Sequence, residues 1–168
     1  MASELRVDRI IPVNGVPTGG MGGAIQTKFY QSKGDDSPNS STSTTPIASE
    51  VTLNITPTST SSKILLNCSY HWWFDTNTTI DYFKITLFRD STNLATQFGG
   101  AQTDWLQWMP SRNPLGSYND FCTFQFIDTP NTTSQVTYTV YIGCHSGNTF
   151  RFNWSGQLNS LSATEFSA

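Results

Sequence analysis

Apolar and polar residues alternate along most of this chain with a period of two. From Lys63 to Trp73, the residues Ile64, Leu66, Cys68, Tyr70 and Trp72 share one face, while Leu65, Asn67, Ser69, His71 and Trp73 share a mixed one. That pattern predicts a strand packed on a core through one face and half-covered on the other. Phe83, Ile85 and Leu87 repeat it within 81–89, and Val136, Tyr138, Val140 and Ile142 repeat it within 135–144. Further strands are predicted at 24–30, 51–55, 93–98, 121–128, 150–154 and 160–166, with 93–98 returning as a hairpin partner of 81–89. Helical periodicity is almost absent, since no window of ten residues holds an i, i+3, i+4, i+7 apolar stripe. Eight to ten short strands, with turns every 8 to 12 residues, predict a single β-sandwich or barrel over 24–168. The predicted core is Ile64, Leu66, Cys68, Tyr70, Phe83, Ile85, Leu87, Val136, Tyr138, Val140 and Ile142.

Three segments break the rhythm. Residues 1–23 combine the apolar Leu5, Val7, Ile10, Ile11 and Val13 with the run Gly19, Gly20, Met21, Gly22, Gly23. Apolar residues are poor choices for a solvated tail, and a glycine run is entropically costly to order. The segment therefore reads as an arm ordered against a partner chain. Residues 32–45 are polar and read as a long surface loop. Residues 99–118 hold two prolines, the pair Gly99-Gly100, a further Gly116 and the sequence Asp104-Trp105-Leu106-Gln107-Trp108-Met109. A connection of that length is usually functional or interfacial. It is predicted to be neither strand nor helix, with Asp104, Trp105, Trp108 and Tyr118 forming an outward contact surface. The spacing of three brings both indoles to one side only if the segment coils into a helical turn. Trp72 and Trp154 read as core residues. A weak echo links 56–62 and 129–134, each a proline-initiated turn rich in hydroxyl residues that bond the backbone locally.

Composition narrows the function classes. Charged residues make up 12% of the 168 residues and aromatics 13%, while Ser and Thr supply about a quarter. Such a chain is the opposite of a disordered one. A net charge of -3 leaves no basic field for nucleic acid. The apolar runs are too short for a membrane-spanning helix. The opening MASELRVDRI carries charges where a secretion signal needs an apolar core. The six N-x-S/T triplets, at Asn39, Asn54, Asn67, Asn77, Asn131 and Asn153, are accordingly read as chance.

Chemistry-bearing groups are sparse. Cys68, Cys122 and Cys144 stand alone, which fits buried strand residues better than a zinc site or a disulfide frame. His71 lies inside a strand, where a satisfied or surface histidine is expected. His145 follows Cys144, and adjacent strand residues point to opposite faces, so the two cannot act as nucleophile and base. The glycine run lacks the lysine and helix of a phosphate loop. Asp35, Asp36, Asp75, Asp81 and Asp104 fall in separate predicted loops, so no glycosidase pair can be read from them. The expectation is a non-enzymatic protein with no catalytic residues, no metal and no cofactor.

The opening Leu5-Arg6-Val7-Asp8-Arg9-Ile10-Ile11-Pro12-Val13-Asn14-Gly15-Val16-Pro17-Thr18-Gly19-Gly20 resembles the N-terminus of virion structural proteins of bacteriophages, especially those of aquatic bacteria. In the same order follow Ile55-Thr56-Pro57 through Ser61-Ser62-Lys63-Ile64-Leu65, Leu87-Phe88-Arg89-Asp90-Ser91-Thr92, Asp128-Thr129-Pro130 through Thr133-Ser134, and the closing Ser162-Ala163-Thr164-Glu165-Phe166-Ser167-Ala168. The resemblance implies a tail-fibre-like, trimeric jelly-roll sandwich. Trp72-Trp73 and the segment with Trp105 and Trp108 depart from it, so no receptor site is carried over.

The resulting expectation is an all-β, jelly-roll-like antiparallel β-sandwich with an extended Gly-rich N-terminal arm. It would be a homotrimer located in the virion and assembled in the host bacterial cytoplasm. The arm would hold it to a tail adaptor or the major capsid protein, as a tail-fibre, head-fibre or decoration protein. Partners would include a host surface glycan, but neither nucleic acid nor an inserted membrane. Low charge and high Thr/Ser/Asn content suit a domain that packs against copies of itself, and three copies give multivalent contact. Two alternatives keep the sandwich. One is a stand-alone carbohydrate-binding module, and the other is a polysaccharide hydrolase with carboxylates assembled from loops.

Overall fold

The alternation becomes eleven strand segments in the computed structural model, which describes residues 23–34, 39–74, 81–98, 104–110, 118–152 and 156–167. They are β1 (Ala24–Ser32), β2 (Asn39–Ser41), β3 (Ile47–Ile55), β4 (Lys63–Phe74), β5 (Tyr82–Arg89), β6 (Thr92–Asn93), β7 (Gln107–Pro110), β8 (Tyr118–Asp128), β9 (Val136–Cys144), β10 (Phe150–Phe152) and β11 (Asn159–Phe166). The apolar arm, with Leu5, Val7, Ile10, Ile11 and Val13, lies outside the described residues, as does Trp154.

Two antiparallel sheets face each other. In the first, β1 pairs β11, β11 pairs β4, and β8 flanks β4 on its other side. In the second, the order is β3, β9, β5, with β6 and β7 both along the far side of β5. Taking β1, β3, β4, β5, β7, β8, β9 and β11 as the eight principal strands, one sheet orders them first, eighth, third, sixth. The other orders them second, seventh, fourth, fifth. That is the double-sheet arrangement of a jelly roll. The short β2 and β10 extend the first sheet, since the ladder that ends at Ser32↔Asn159 resumes at Asn39↔Phe152 and runs to Ser41↔Phe150.

The expected core forms as read from the alternation. All eleven predicted residues are buried, joined by Val51, Leu53, Ile55, Phe74, Phe126, Phe150, Leu161 and Ala163. Trp72 stacks on Phe83 with ring centroids 5.1 Å apart. The three cysteines are free and buried. Two carboxylates are accommodated between the sheets by dense hydrogen bonding, as buried charges require. Asp128 accepts both Arg89 Nη1 contacts at 2.8 Å and the Tyr138 hydroxyl at 2.6 Å, joining β8 to β5 and β9. Glu165 accepts from the Thr58 amide and hydroxyl, the Ser62 hydroxyl and the Gln26 amide, joining β11 to β1 and to the 56–62 turn. Burial pushes the Glu165 pKa up, but the donors from Ser62, Thr58 and Gln26 outweigh it and hold it down at about 2.

Three local expectations are corrected. The polar 32–45 stretch contains β2, because Asn39–Ser41 pairs with β10. The return strand expected at 93–98 stops after Asn93 and gives way to a 3-10 turn over Leu94–Phe98. The Asn93 side-chain oxygen accepts from the Ala95 amide and the Thr86 hydroxyl, while the Thr96 hydroxyl donates to the Asn93 carbonyl. Those bonds cap a helical turn and leave no ladder to continue. His71 is neither exposed nor satisfied. It is buried against Phe121, its Nδ1 has no hydrogen-bond partner, and burial lowers its pKa while Asp120 opposes that shift.

Candidate contact surfaces

The segment with Asp104, Trp105 and Trp108 does not form the outward loop that its composition predicts. Gln107–Pro110 is β7, paired with Tyr82–Ile85 of β5. Asp104 is exposed, Trp105 is buried at 8% exposure, and Trp108 is half-buried. Tyr118 opens β8, on the far side of residues 111–117. Trp105 precedes the strand and folds back over the outer side of the second sheet. There it lies on Gly143, where a Cβ would meet the indole at 2.5 Å. A glycine in β9 thus makes room for a tryptophan 38 residues earlier.

The two indoles converge without any helix. Lys84, on the outer face of β5 and only 5% exposed, places its Nζ 4.6 Å from the Trp105 ring and 4.9 Å from the Trp108 ring. It also donates to the Thr44 carbonyl at 3.2 Å. Burial lowers the Lys84 pKa, with Cys144, Asp81 and Asp104 opposing, yet the two ring faces favour the cation. Tyr82 and His145 flank Trp108 at ring distances of 5.9 and 5.0 Å. Asp81 anchors this end by accepting the amides of Tyr82, His145, Ser146 and Asn148. Chemically the cluster is a covering layer, in which Asp81 is held by backbone amides.

The first sheet leaves the middle of its outer face uncovered, while His71 towards one end of it is buried against Phe121. The register sets Phe29, Ser162, Asn67 and Gln125 in one cross-strand row and Gln31, Ser160, Ser69 and Thr123 in the next. Thr27, Thr164, Leu65 and Ile127 form the row beside them. The Thr27–Thr164 hydroxyl contact at 3.1 Å and the Asn67 donation to Ser162 at 3.5 Å place these side chains on one side. Phe29 is 63% exposed, and Phe121 and Ile127 are each 50% exposed. No Asp, Glu, Lys or Arg occurs in these rows; Lys63 lies at one end of the face. At the other, Arg151 stands over the Trp73 ring at 5.5 Å. Where the side chains are small, the face sinks into an open trough of about 430 Å³ lined by Asn67, Cys68, Ser69, Thr123, Phe124, Gln125, Ser160 and Ser162.

A third surface is the flank between the sheets beside β8. Among the described residues β8 pairs only with β4, and no other described strand forms a ladder with its far edge. Phe98, 72% exposed, meets Phe126 edge-on at 5.8 Å. It overhangs a groove of about 180 Å³ lined by Leu106, Gln107, Phe124, Gln125 and Phe126. The alternation marks the outward positions of both sheets, but it gives no signal for the trough or the flank, because both depend on which strands become neighbours.

No family model matches the chain, and no curated protein matches it. Among solved structures, it is similar to a chain in the structure of infectious bursal disease virus, Gx strain, with a TM-score of 0.41 and 12% identity over 92% of this chain. The present chain spans 42% of the length of that neighbour.

Proposed function

We propose that the chain is a non-enzymatic structural protein of a bacteriophage virion, of the tail-fibre or head-decoration type. It works as a homotrimer, is held to a tail adaptor or capsid protein through residues 1–23, and contacts the host cell surface. The ordered motifs that resemble phage virion proteins support the virion role, and jelly rolls serve both capsid and lectin domains.

The observation that carries the trimer is the open β8 flank. A long free edge is a template for pairing, and monomeric proteins blunt such edges with lysine, proline or a covering element. The β8 sequence has neither lysine nor proline, and the exposed Phe98 beside it adds apolar area. In the first sheet β1 and β8, at opposite borders, run in opposite directions. The β8 edge of one copy can therefore meet the β1 edge of the next as an antiparallel pair. A head-to-tail contact of that kind closes into a ring at three copies if the rotation fits.

Light scattering of the full chain tests this, with an expected mass near three times 18.6 kDa. Phe98→Asp is expected to shift the protein towards monomer while its circular dichroism stays that of a β protein. A monomeric native chain at micromolar concentration would sink the trimer reading.

A further inference from the structure

We propose that the trough on the outer face of the first sheet is a binding site for a neutral oligosaccharide, with Asn67, Ser69, Thr123, Gln125, Ser160 and Ser162 as its floor and Phe29 and Phe121 as stacking walls. This names the ligand class for the host-contact reading above and rests on it.

Four observations point the same way. The volume, about 430 Å³, falls in the range of small-ligand sites, roughly 300–1,000 Å³. The floor presents hydroxyl and primary amide groups, which both donate and accept, as the hydroxyls of a sugar require. These groups stand on three hydrogen-bonded strands, β11, β4 and β8, so their spacing is fixed before any ligand arrives. An aromatic ring is exposed at two borders: Phe29 is in the row of Ser162 and Asn67, and Phe121 is two residues before Thr123 on the same strand. Ring faces of that kind stack against the C–H faces of pyranoses.

The same observations decide against other occupants. Phosphate or acidic sugars call for arginine or lysine, and the rows that hold the trough contain none. Protein interfaces are depleted in serine at their cores, whereas three of the six floor residues here are serines. The flank by Phe98 has the composition of a protein contact, and the trough does not. In the trimer proposed above, copies meet along the sheet borders rather than over the trough.

The test uses the full-length protein, titrated by nuclear magnetic resonance and calorimetry. The probes are oligosaccharides of glucose, galactose, mannose and N-acetylglucosamine, with uronic-acid oligosaccharides as the charged arm. A neutral probe is expected to bind and to perturb the amides of residues 67–69, 123–125 and 160–162. Ser162→Trp, which fills the trough, and Phe29→Ala, which removes a wall, are each expected to weaken that binding at least tenfold. Asn67→Ala is a smaller third variant should Ser162→Trp disturb the fold. Binding of no neutral probe, binding of uronic acids alone, or full affinity in the folded variants overturns the proposal. Light scattering on the same samples separates that failure from failure of the trimer reading, because Ser162 and Asn67 stand on the inner strands β11 and β4, not on the β1 and β8 borders where copies would meet.

Discussion

The two sheets pack apolar inner faces against each other, yet their outer faces are finished in opposite ways. The second sheet carries its own cover: Trp105 lies on Gly143, Lys84 is held between two indoles, and the Ser43 carbonyl accepts the Cys144 amide. The first sheet has no such layer, and its outer face exposes Phe29, Phe121 and Ile127 around an uncharged polar trough. Isolated exposed apolar residues are ordinary. An uncharged sheet face is less so, because solvated faces usually carry interspersed charge. The difference teaches that a mixed outward pattern on a strand has two outcomes, cover by the same chain or a surface kept open for something else.

The comparison breaks first at Trp105. Trp105→Ala is expected to cost about 3 kcal/mol in denaturant unfolding, the low end for removal of a buried tryptophan. Gly143→Ala is expected to cost about 1–3 kcal/mol by overpacking. In a Trp105→Ala background the same glycine change should cost less, the remainder coming from the Ser43 carbonyl 3.1 Å from the added Cβ, so the double-mutant cycle reports a coupling. Additive losses would mean that the indole does not rest on Gly143.

A second test concerns the inner side of the uncovered sheet. The folded-state pKa of Glu165, about 2, lies below its ordinary value of 4.5, so the ionised form stabilises the fold. That contribution is complete above about pH 4.5 and is lost as the pH falls towards 2. Calorimetric melting temperatures of the native protein should therefore drop through this window, and those of Glu165→Gln should drop less. Parallel profiles would mean that Glu165 is not the source of the acid sensitivity.

The smallest effect is expected on the bare face itself. Phe29→Ser, at a position 63% exposed on a border strand, should change unfolding free energy by no more than about 0.5 kcal/mol. A loss like that of Trp105→Ala would show that a further layer covers the first sheet after all.

Much of this architecture was legible in the residues. Strict alternation from Ile64 to Trp72 and from Val136 to Ile142 named the inward faces correctly, because a period of two leaves each strand one buried side. Turn-forming residues located most strand ends. Reading failed where side chains rather than periodicity chose the backbone. Asn93 captured the Ala95 amide and ended a strand that Leu94 to Phe98 seemed to continue. Asn39–Ser41, with no apolar residue, became a strand only because β10 offered it a ladder. Of the residues singled out for contact, Trp108 kept a half-exposed place and Trp105 did not.

The all-β class and the core faces follow from local composition and a two-residue period. Which outward faces stay open was settled by packing between distant segments. That choice depends on pairs far apart in the chain: Trp105 with Gly143, Ser162 beside Asn67, Phe98 against Phe126. Strand periodicity says that a side chain points away from the core. It says nothing of what lies beyond, because the neighbour is fixed by sheet order and register, and those minimise the energy of the whole chain.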